Sequence, residues 1–203
     1  MFEIVLDTET TGLHAGKGDK ICEIGCVLLE NHMPAGSAYH VFVNPEREMP
    51  PEAEAVHGLS REFLKDKPTF RNVADELLSF IGDFPIIAHN ASFDIGFLNC
   101  ELGLINKPLI DSLRVIDTVL LAKKRFPGAQ ISLDALCRRF NIDLSDRSKH
   151  GALIDAELLS RVYLELIGGR EPGLEFGDNN KGDFKGCNEE KKLIRKPRLY
   201  SAS

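Results

Sequence analysis

The sequence lacks three features that would each indicate a different class of protein. It has no apolar run near the ~20 residues that span a bilayer, and it begins with a strand-like segment instead of a basic region and an apolar signal. Its five cysteines include no C-x-x-C pair, so neither a disulfide framework nor a zinc site is indicated. We therefore expect a soluble, cytoplasmic protein with reduced thiols.

Positive charge is also scarce. The net charge of −6 argues against capture of nucleic acid by broad electrostatic attraction, although an enzyme that meets phosphate through metal ions remains compatible with it. The charge is uneven, because residues 169–203 carry +2 and the remainder carries −8. Together with the change in composition, this predicts one domain over 1–168 and a flexible, basic-ended tail over 169–203.

The hydrophobic pattern predicts an α/β protein with a mixed five-stranded sheet. The first three strands are joined by short connections, which indicates an antiparallel meander, and the later strands alternate with helices, which indicates two parallel strands flanked by helices. Ser60 is a plausible helix N-cap. The predicted strands are 2–6, 21–30, 39–43, 85–89 and 113–117, with a turn at 31–36. The predicted helical segments are 50–82, 92–102, 118–125, 132–140 and 151–167.

Two acidic residues follow the first strand. Asp7 and Glu9 point to the same face, because side chains alternate along a strand. Their Cα atoms are expected to lie about 6 to 7 Å apart, a span over which two carboxylates can converge on one divalent ion. On its own such a pair is explained by a strand that simply ends in a polar turn, and a metal site is indicated only if further acids prove to be buried.

Two further acids lie on apolar helix faces. Asp94 shares the face of Phe97 and Leu98, and Asp155 lies in line with Leu158 and the apolar residues that follow it. Each acid alone could be a first-turn residue stabilised by the helix dipole. Because a buried carboxylate is costly unless it is paired or bound to metal, the four acids together indicate a metal site.

His150 completes the candidate set. It precedes Asp155 by five residues, which would turn the two side chains apart on one helix, so we expect His150 in the loop before Gly151. A histidine there can serve as a general base. Oxygen ligands without cysteine favour Mg²⁺ or Mn²⁺, and four acids with one base suit two-metal phosphodiester hydrolysis.

Ordered motifs resemble those of the DEDDh 3′-to-5′ exonucleases. They are D-T-E-T-T-G at 7–12, H-N-A-S-F-D at 89–94 and H-G-A-L-I-D at 150–155. More narrowly, V-H-G-L at 56–59 and S-L-D-A-L-C-R-R-F at 132–140 are similar to the epsilon (proofreading) subunits of bacterial DNA polymerase III. The resemblance implies a ribonuclease H-like fold and release of 5′-nucleotides from DNA 3′ ends.

The resemblance also implies roles for individual residues. Asp7, Glu9 and Asp155 would hold the catalytic ion, and Asp7 would also reach the second ion. Asp94 would support the second ion directly or through water, and His150 would be the general base. Seven residues would bind the terminal nucleotide, and one of them, Glu9, is also a metal ligand. The seven are Thr8, Glu9, Thr10, Glu52, His57, Asn90 and Phe93. Phe93 could equally be a core residue, and His57 a polar loop residue.

Partners follow from the same resemblance. The substrate would be a single-stranded or frayed DNA 3′ end, and the polymerase III alpha subunit would be a partner. A sliding clamp could bind near Leu174–Phe176, although the leading glutamine of the usual clamp motif is absent. Two alternatives stay open: a free-standing DNA or RNA 3′ exonuclease, and a non-catalytic subunit that only presents a surface to its polymerase.

Overall fold

The computed structural model describes residues 1–145 and 150–168. Its strands are β1 (Phe2–Thr10), β2 (Ile21–Glu30), β3 (Met33–Phe42), β4 (Ile86–Ala88) and β5 (Val115–Asp117). Its helices are α1 (Pro51–His57), α2 (Arg61–Leu64), α3 (Phe70–Ile81), α4 (Ala91–Leu104), α5 (Thr118–Arg125), α6 (Leu133–Arg139) and α7 (Ala152–Leu166). The predicted tail over 169–203 and its Leu174–Phe176 segment lie outside the described residues.

The five strands form one mixed sheet in the order β3-β2-β1-β4-β5. β1 pairs antiparallel with β2 and β2 with β3, while β4 is parallel to both β1 and β5. The predicted combination of a three-stranded antiparallel meander and two parallel strands is thus confirmed. β1 is central and buried on both faces, which explains its continuous apolar run from Ile4 to Leu6.

Helices cover both faces of the sheet. Ile4 and Leu6 of β1 pack on the side of α3 and α4, whereas Val5 packs on the side of α5, α6 and α7. Because side chains alternate along β1, residues 7–9 also point in turn to one face of the sheet and then to the other. Asp7 and Glu9 therefore share the face of Val5, and Thr8 shares the face of Leu6.

The hairpin between β2 and β3 differs from the prediction. A turn was expected over 31–36, but the strands are joined by Asn31 and His32 alone, whose φ angles of 51° and 67° are both left-handed. Two such residues form the tight turn whose twist matches that of the flanking strands. β3 consequently begins at Met33, and Pro34 is tolerated because β3 is an edge strand.

The helical region over 50–82 is divided into three helices. α1 ends at His57, and the following Gly58 closes it with a left-handed φ of 78°. Ser60 caps α2 by accepting a hydrogen bond from the Phe63 amide at 3.2 Å, which confirms its predicted role. α3 begins after Thr69. None of the helices within 1–145 and 150–168 has both the length and the apolar character that crossing a bilayer requires.

Candidate active site

The candidate site lies where β1 ends. Asp7 is opposite Gly25 and Glu9 is opposite Glu23 of β2, so both acids face α7 as half-buried side chains. On the other side of the strand, Thr8 is buried against α4. The predicted pairing of Asp7 and Glu9 on one face therefore follows directly from the strand geometry.

Gly25 allows α7 to reach this end of the sheet. A Cβ atom on Gly25 would lie 2.4 Å from the carbonyl carbon of Ala152 and 2.4 Å from the Leu153 amide nitrogen. Since backbone atoms cannot yield at such distances, only glycine permits the first turn of α7 to pack here. Asp155 lies in that turn, is buried, and donates its backbone N–H to the Gly151 carbonyl at 2.9 Å.

His150 joins the acids from the loop before α7. Its side chain is exposed, and its Nδ1 lies 3.1 Å from Oδ2 of Asp155. One ligand atom from each of Glu9, His150 and Asp155 falls within 4.8 Å of the other two. The loop position agrees with the prediction, and the fold brings three of the five candidate catalytic residues into one cluster.

Asp94 reaches β1 from the opposite layer. Its Oδ1 accepts hydrogen bonds from the Thr8 amide at 3.0 Å and from the Thr8 hydroxyl at 2.7 Å. Burial raises the pKa of Asp94 to about 7, against the opposing effect of the Thr8 hydrogen bonds. A buried carboxyl group whose ionisation costs this much is stabilised as a carboxylate by a nearby cation. Thr8, which lies between Asp7 and Glu9 in the sequence, thus fixes Asp94 against β1.

The donor set fits a divalent metal ion. Glu9 and Asp155 offer carboxylate oxygens close to the His150 ring, and Asp7 lines the same cavity as His150 and Asp155. No cysteine lines the cavities that contain these residues, within the described part of the chain. Hard oxygen donors of this kind suit Mg²⁺ or Mn²⁺ far better than a thiol-binding metal.

Two cavities flank the acids. The first, of about 480 Å³, lies on the Glu9 side and has the size of a small-ligand pocket. Its wall is largely apolar, and Leu13 and Val56 contribute to it. It contains six of the seven predicted nucleotide-binding residues: Thr8, Glu9, Thr10, Glu52, His57 and Phe93.

Asn90, the seventh, lies in the second cavity. This cavity, of about 620 Å³, is also lined by Asp7, His150 and Asp155. Asn90 immediately precedes α4 and has a left-handed φ of 66°. Its backbone N–H donates a hydrogen bond to Oδ1 of Asp117 at 3.2 Å. The structure thus places Asn90 and Phe93 in two neighbouring cavities, and their joint contact with one nucleotide stays a prediction.

His57 is held more firmly than a loop residue would be. It is buried at the end of α1, and its Nδ1 accepts a hydrogen bond from the Leu59 amide at 3.0 Å. The proton of the ring is consequently on Nε2, which lies 3.9 Å from the Cys22 sulfur. Glu52 is exposed in the first turn of the same helix.

Sequence reasoning missed three residues near the site. His89 and Asp134 line the second cavity, and Asp117 contributes to the raised pKa of Asp94. His89 and Asp117 were detectable, because they lie at the carboxyl ends of β4 and β5, and parallel strands bring those ends to the edge where Asp7 lies. Asp134 follows Ser132, the N-cap of α6, and no strand signal marked it.

The site combines clustered carboxylates with one histidine at the end of a central strand, and a cavity large enough for a nucleotide lies beside it. These features define a metal-dependent nuclease site on a ribonuclease H-like fold.

The comparisons with known proteins agree. The family described as Exonuclease matches residues 4–163. DNA polymerase III subunit epsilon of Rickettsia conorii is 50% identical over 181 residues, covering 88% of this chain and 79% of that protein. The Escherichia coli K12 subunit is 46% identical over 175 residues, covering 83% and 72%.

Solved structures lead to the same family. Exonuclease X in complex with 5′ overhanging duplex DNA superposes with a TM-score of 0.65 at 26% identity, covering 81% of this chain and 90% of that one. The nuclease domain of 3′hExo, a DEDDh family member bound to rAMP, superposes with a TM-score of 0.71 at 17% identity, covering 82% and 91%, and so shares the fold. The chain belongs to the exonuclease family and, within it, to the DNA polymerase III epsilon subunits.

Proposed function

We propose that this exonuclease removes nucleotides one at a time from DNA 3′ ends as the proofreading subunit of a replicative DNA polymerase. The observation that carries the proposal is the cluster of Glu9, His150 and Asp155, within 4.8 Å of one another beside a cavity of about 480 Å³. The reaction would be hydrolysis of the last phosphodiester bond, releasing a 5′-nucleotide.

Each acid has a role in this proposal. Asp7, Glu9 and Asp155 would hold two divalent ions, with Asp94 supporting them from behind β1. When bound, such ions lower the pKa of the attacking water and stabilise the negative charge of the phosphate and of the leaving 3′ oxygen. Thr8 keeps Asp94 in place through its two hydrogen bonds. We propose Mg²⁺ or Mn²⁺, because the donors are mainly carboxylate oxygens.

His150 would act as the general base. The contact of its Nδ1 with Asp155 orients the ring, so Nε2 is the nitrogen that would take the proton from the attacking water. Its exposed position in the loop before α7 allows the ring to approach the phosphate. This is an arrangement in which a carboxylate fixes both the tautomer and the orientation of the base.

The first cavity would receive the terminal nucleotide. Thr8, Glu9 and Thr10 border it on the strand side, and Glu52, His57 and Phe93 border it from α1 and α4. Asn90 would act from the second cavity, beside Asp7. Because a frayed end enters such a pocket more readily than a paired end, mismatched termini would be removed preferentially.

Partners belong to the same proposal. The relatives named above are polymerase III subunits, which supports association of this chain with a polymerase alpha subunit in a bacterial cytoplasm. We further propose that an exonuclease domain spans 1–168, that residues 169–203 bind that subunit, and that Leu174–Phe176 binds a sliding clamp.

A direct experiment compares three 3′ ends. Purified protein would be given end-labelled DNA with matched and mismatched 3′ termini, and an RNA of the same sequence, with Mg²⁺, with Mn²⁺ or with a chelator. We expect metal-dependent release of 5′-nucleotides, fastest from the mismatched DNA, and co-purification with the polymerase subunit. Equal rates on all three ends without polymerase association would instead indicate a free-standing exonuclease.

A further inference from the structure

A further buried carboxylate, besides Asp94 and Asp155, lies next to the acidic cluster. Glu23 of β2 is directly opposite Glu9 in the sheet and is 4% exposed. Its Oε1 lies 2.7 Å from Nε2 of His40 on β3. Since an ionised carboxylate can only accept hydrogen bonds, the His40 ring donates to it. Glu23 lines neither of the two cavities at the site, so a direct contact with substrate does not explain its presence.

The position of Glu23 is costly for the fold alone. Like charges directly opposite each other across two strands are destabilising, and burial of a carboxylate adds a desolvation cost. A nonpolar residue in place of Glu23 would remove both costs. A selective advantage of the carboxylate therefore has to come from what it does to its surroundings.

Those surroundings are the beginning of α7. Oε1 of Glu23 lies 4.0 Å from the point where a Cβ atom on Gly151 would be. Gly151 joins His150 to α7, and its carbonyl accepts the hydrogen bond from the Asp155 amide. Because the amino terminus of a helix carries partial positive charge, a carboxylate beside it attracts and fixes that end.

We propose that Glu23, held by His40, is a positioning residue that fixes the amino terminus of α7 against β2 and so sets the distances among Glu9, His150 and Asp155. The inference rests on the proposed function and adds a part to it. Gly25 lets α7 approach the sheet, and Glu23 determines where the helix begins. Partners of metal ligands that act in this way contribute about 10- to 100-fold to metal affinity or activity.

The protein contains its own control for this idea. Glu3 is 1% exposed, and its Oε2 lies 2.7 Å from Nδ1 of His32, while its Oε1 accepts a hydrogen bond from the Tyr163 hydroxyl at 2.9 Å. This pair has the same chemistry and also faces α7, but it lies six residues before Glu9, about 20 Å along the strand. Loss of Glu3 should cost stability without disturbing the site.

The test compares Glu23→Gln with Glu3→Gln in the full chain. The measurements are kcat and KM on an end-labelled single-stranded DNA with Mg²⁺, the affinity for Mn²⁺ from the free-ion electron paramagnetic resonance signal, and the melting temperature. For Glu23→Gln we expect kcat to fall about 10-fold or more at nearly constant KM, and Mn²⁺ binding to weaken about 10-fold. For Glu3→Gln, kcat and Mn²⁺ affinity should stay within about twofold of the wild type while the melting temperature falls.

His40 provides a second pair of variants in case Glu23→Gln does not fold. His40→Gln keeps a donor for Glu23 and should retain nearly wild-type kcat, whereas His40→Leu should reproduce the loss. Equal effects of Glu23→Gln and Glu3→Gln on both kcat and Mn²⁺ affinity would overturn the inference. If the wild type itself showed no metal-dependent exonuclease activity, the proposed function would fail, and unchanged Mn²⁺ affinity in Glu23→Gln and His40→Leu would then overturn the inference separately.

Discussion

The two ends of β1 place acidic side chains in contrasting surroundings. At the start of the strand, the buried Glu3 shares its oxygens between His32 and the Tyr163 hydroxyl. At the end, Glu9 and Asp155 gather around the single ring of His150. The first arrangement is complete within the fold, whereas the second concentrates negative charge that a divalent cation would offset. We call the start of β1, near Tyr163 of α7, the structural end, and the end of β1, near Asp155 of α7, the chemical end.

The largest expected effect comes from removing a carboxylate at the chemical end. Asp7→Ala or Asp155→Ala should reduce the rate of nucleotide release at least about 1,000-fold, because several kcal/mol of charge stabilisation by the ions would be lost. The measurement is the release of labelled nucleotide with Mg²⁺, and circular dichroism checks the fold. Glu3→Gln is the matched control at the structural end, and wild-type rates in either alanine variant would contradict the assignment.

His150→Ala should have the next largest effect. Loss of a general base reduces rates by about 100- to 10,000-fold, and a more basic medium should restore part of the rate because hydroxide replaces the missing base. The rate would be measured from pH 7 to pH 9.5 for wild type and variant, with His32→Ala as the control histidine. A loss that is the same at every pH would indicate that His150 acts only by position.

Asp94 makes the stability of the metal-free protein depend on pH. Burial raises its pKa from an ordinary value of 3.8 to about 7, so the folded state holds the proton more tightly than the unfolded state. Its contribution to stability is therefore complete below about pH 4 and is lost as pH rises through about 7, a change of up to about 4 kcal/mol in the free energy of unfolding.

Urea unfolding with a chelator at pH 5 and pH 8 checks this dependence. The wild type should lose stability between the two values, and Asp94→Asn should lose less, because an amide does not ionise. Mn²⁺ added at pH 8 should restore stability to the wild type more than to the variant. Identical losses in both proteins would show that Asp94 is not the group responsible.

A smaller effect on activity is expected from Gly25→Ala, which would disturb the packing of α7 against the sheet. The added Cβ would lie 2.4 Å from backbone atoms of Ala152 and Leu153, so α7 must move. We expect a loss of about 1 to 3 kcal/mol in the free energy of unfolding, as for other overpacked sites, together with reduced exonuclease activity. Gly16→Ala is the control, since nothing lies within 4 Å of its added Cβ. Unchanged activity in Gly25→Ala would contradict the role of this contact.

Local patterns were sufficient to predict much of the fold and of the cluster. The alternation along β1 predicted that Asp7 and Glu9 face one way, and the angle between His150 and Asp155 on a helix predicted the loop position of His150. These inferences succeed because they depend on residues close together in the chain. That residues far apart in the sequence would meet at one site was predicted from the ordered motifs of the exonuclease family.

Features that depend on long-range pairing could not be predicted in this way. The tight hairpin depends on left-handed conformations at Asn31 and His32, which the neighbouring Pro34 and Gly36 obscured. The pairing of Glu23 with His40 depends on the register of β2 and β3, and a shift of one residue would turn these side chains to opposite faces.

The central claim is that Asp7, Glu9 and Asp155 bind divalent ions at one site. It is tested most directly by a crystal structure of the protein with Mn²⁺ and a nucleoside monophosphate, in which the anomalous signal of manganese locates the ions. The account predicts anomalous peaks within about 2.5 Å of carboxylate oxygens of these three residues, with the nucleotide in the cavity beside Glu9 and Phe93. Manganese bound elsewhere, or no ion at these carboxylates at millimolar concentration, would contradict it.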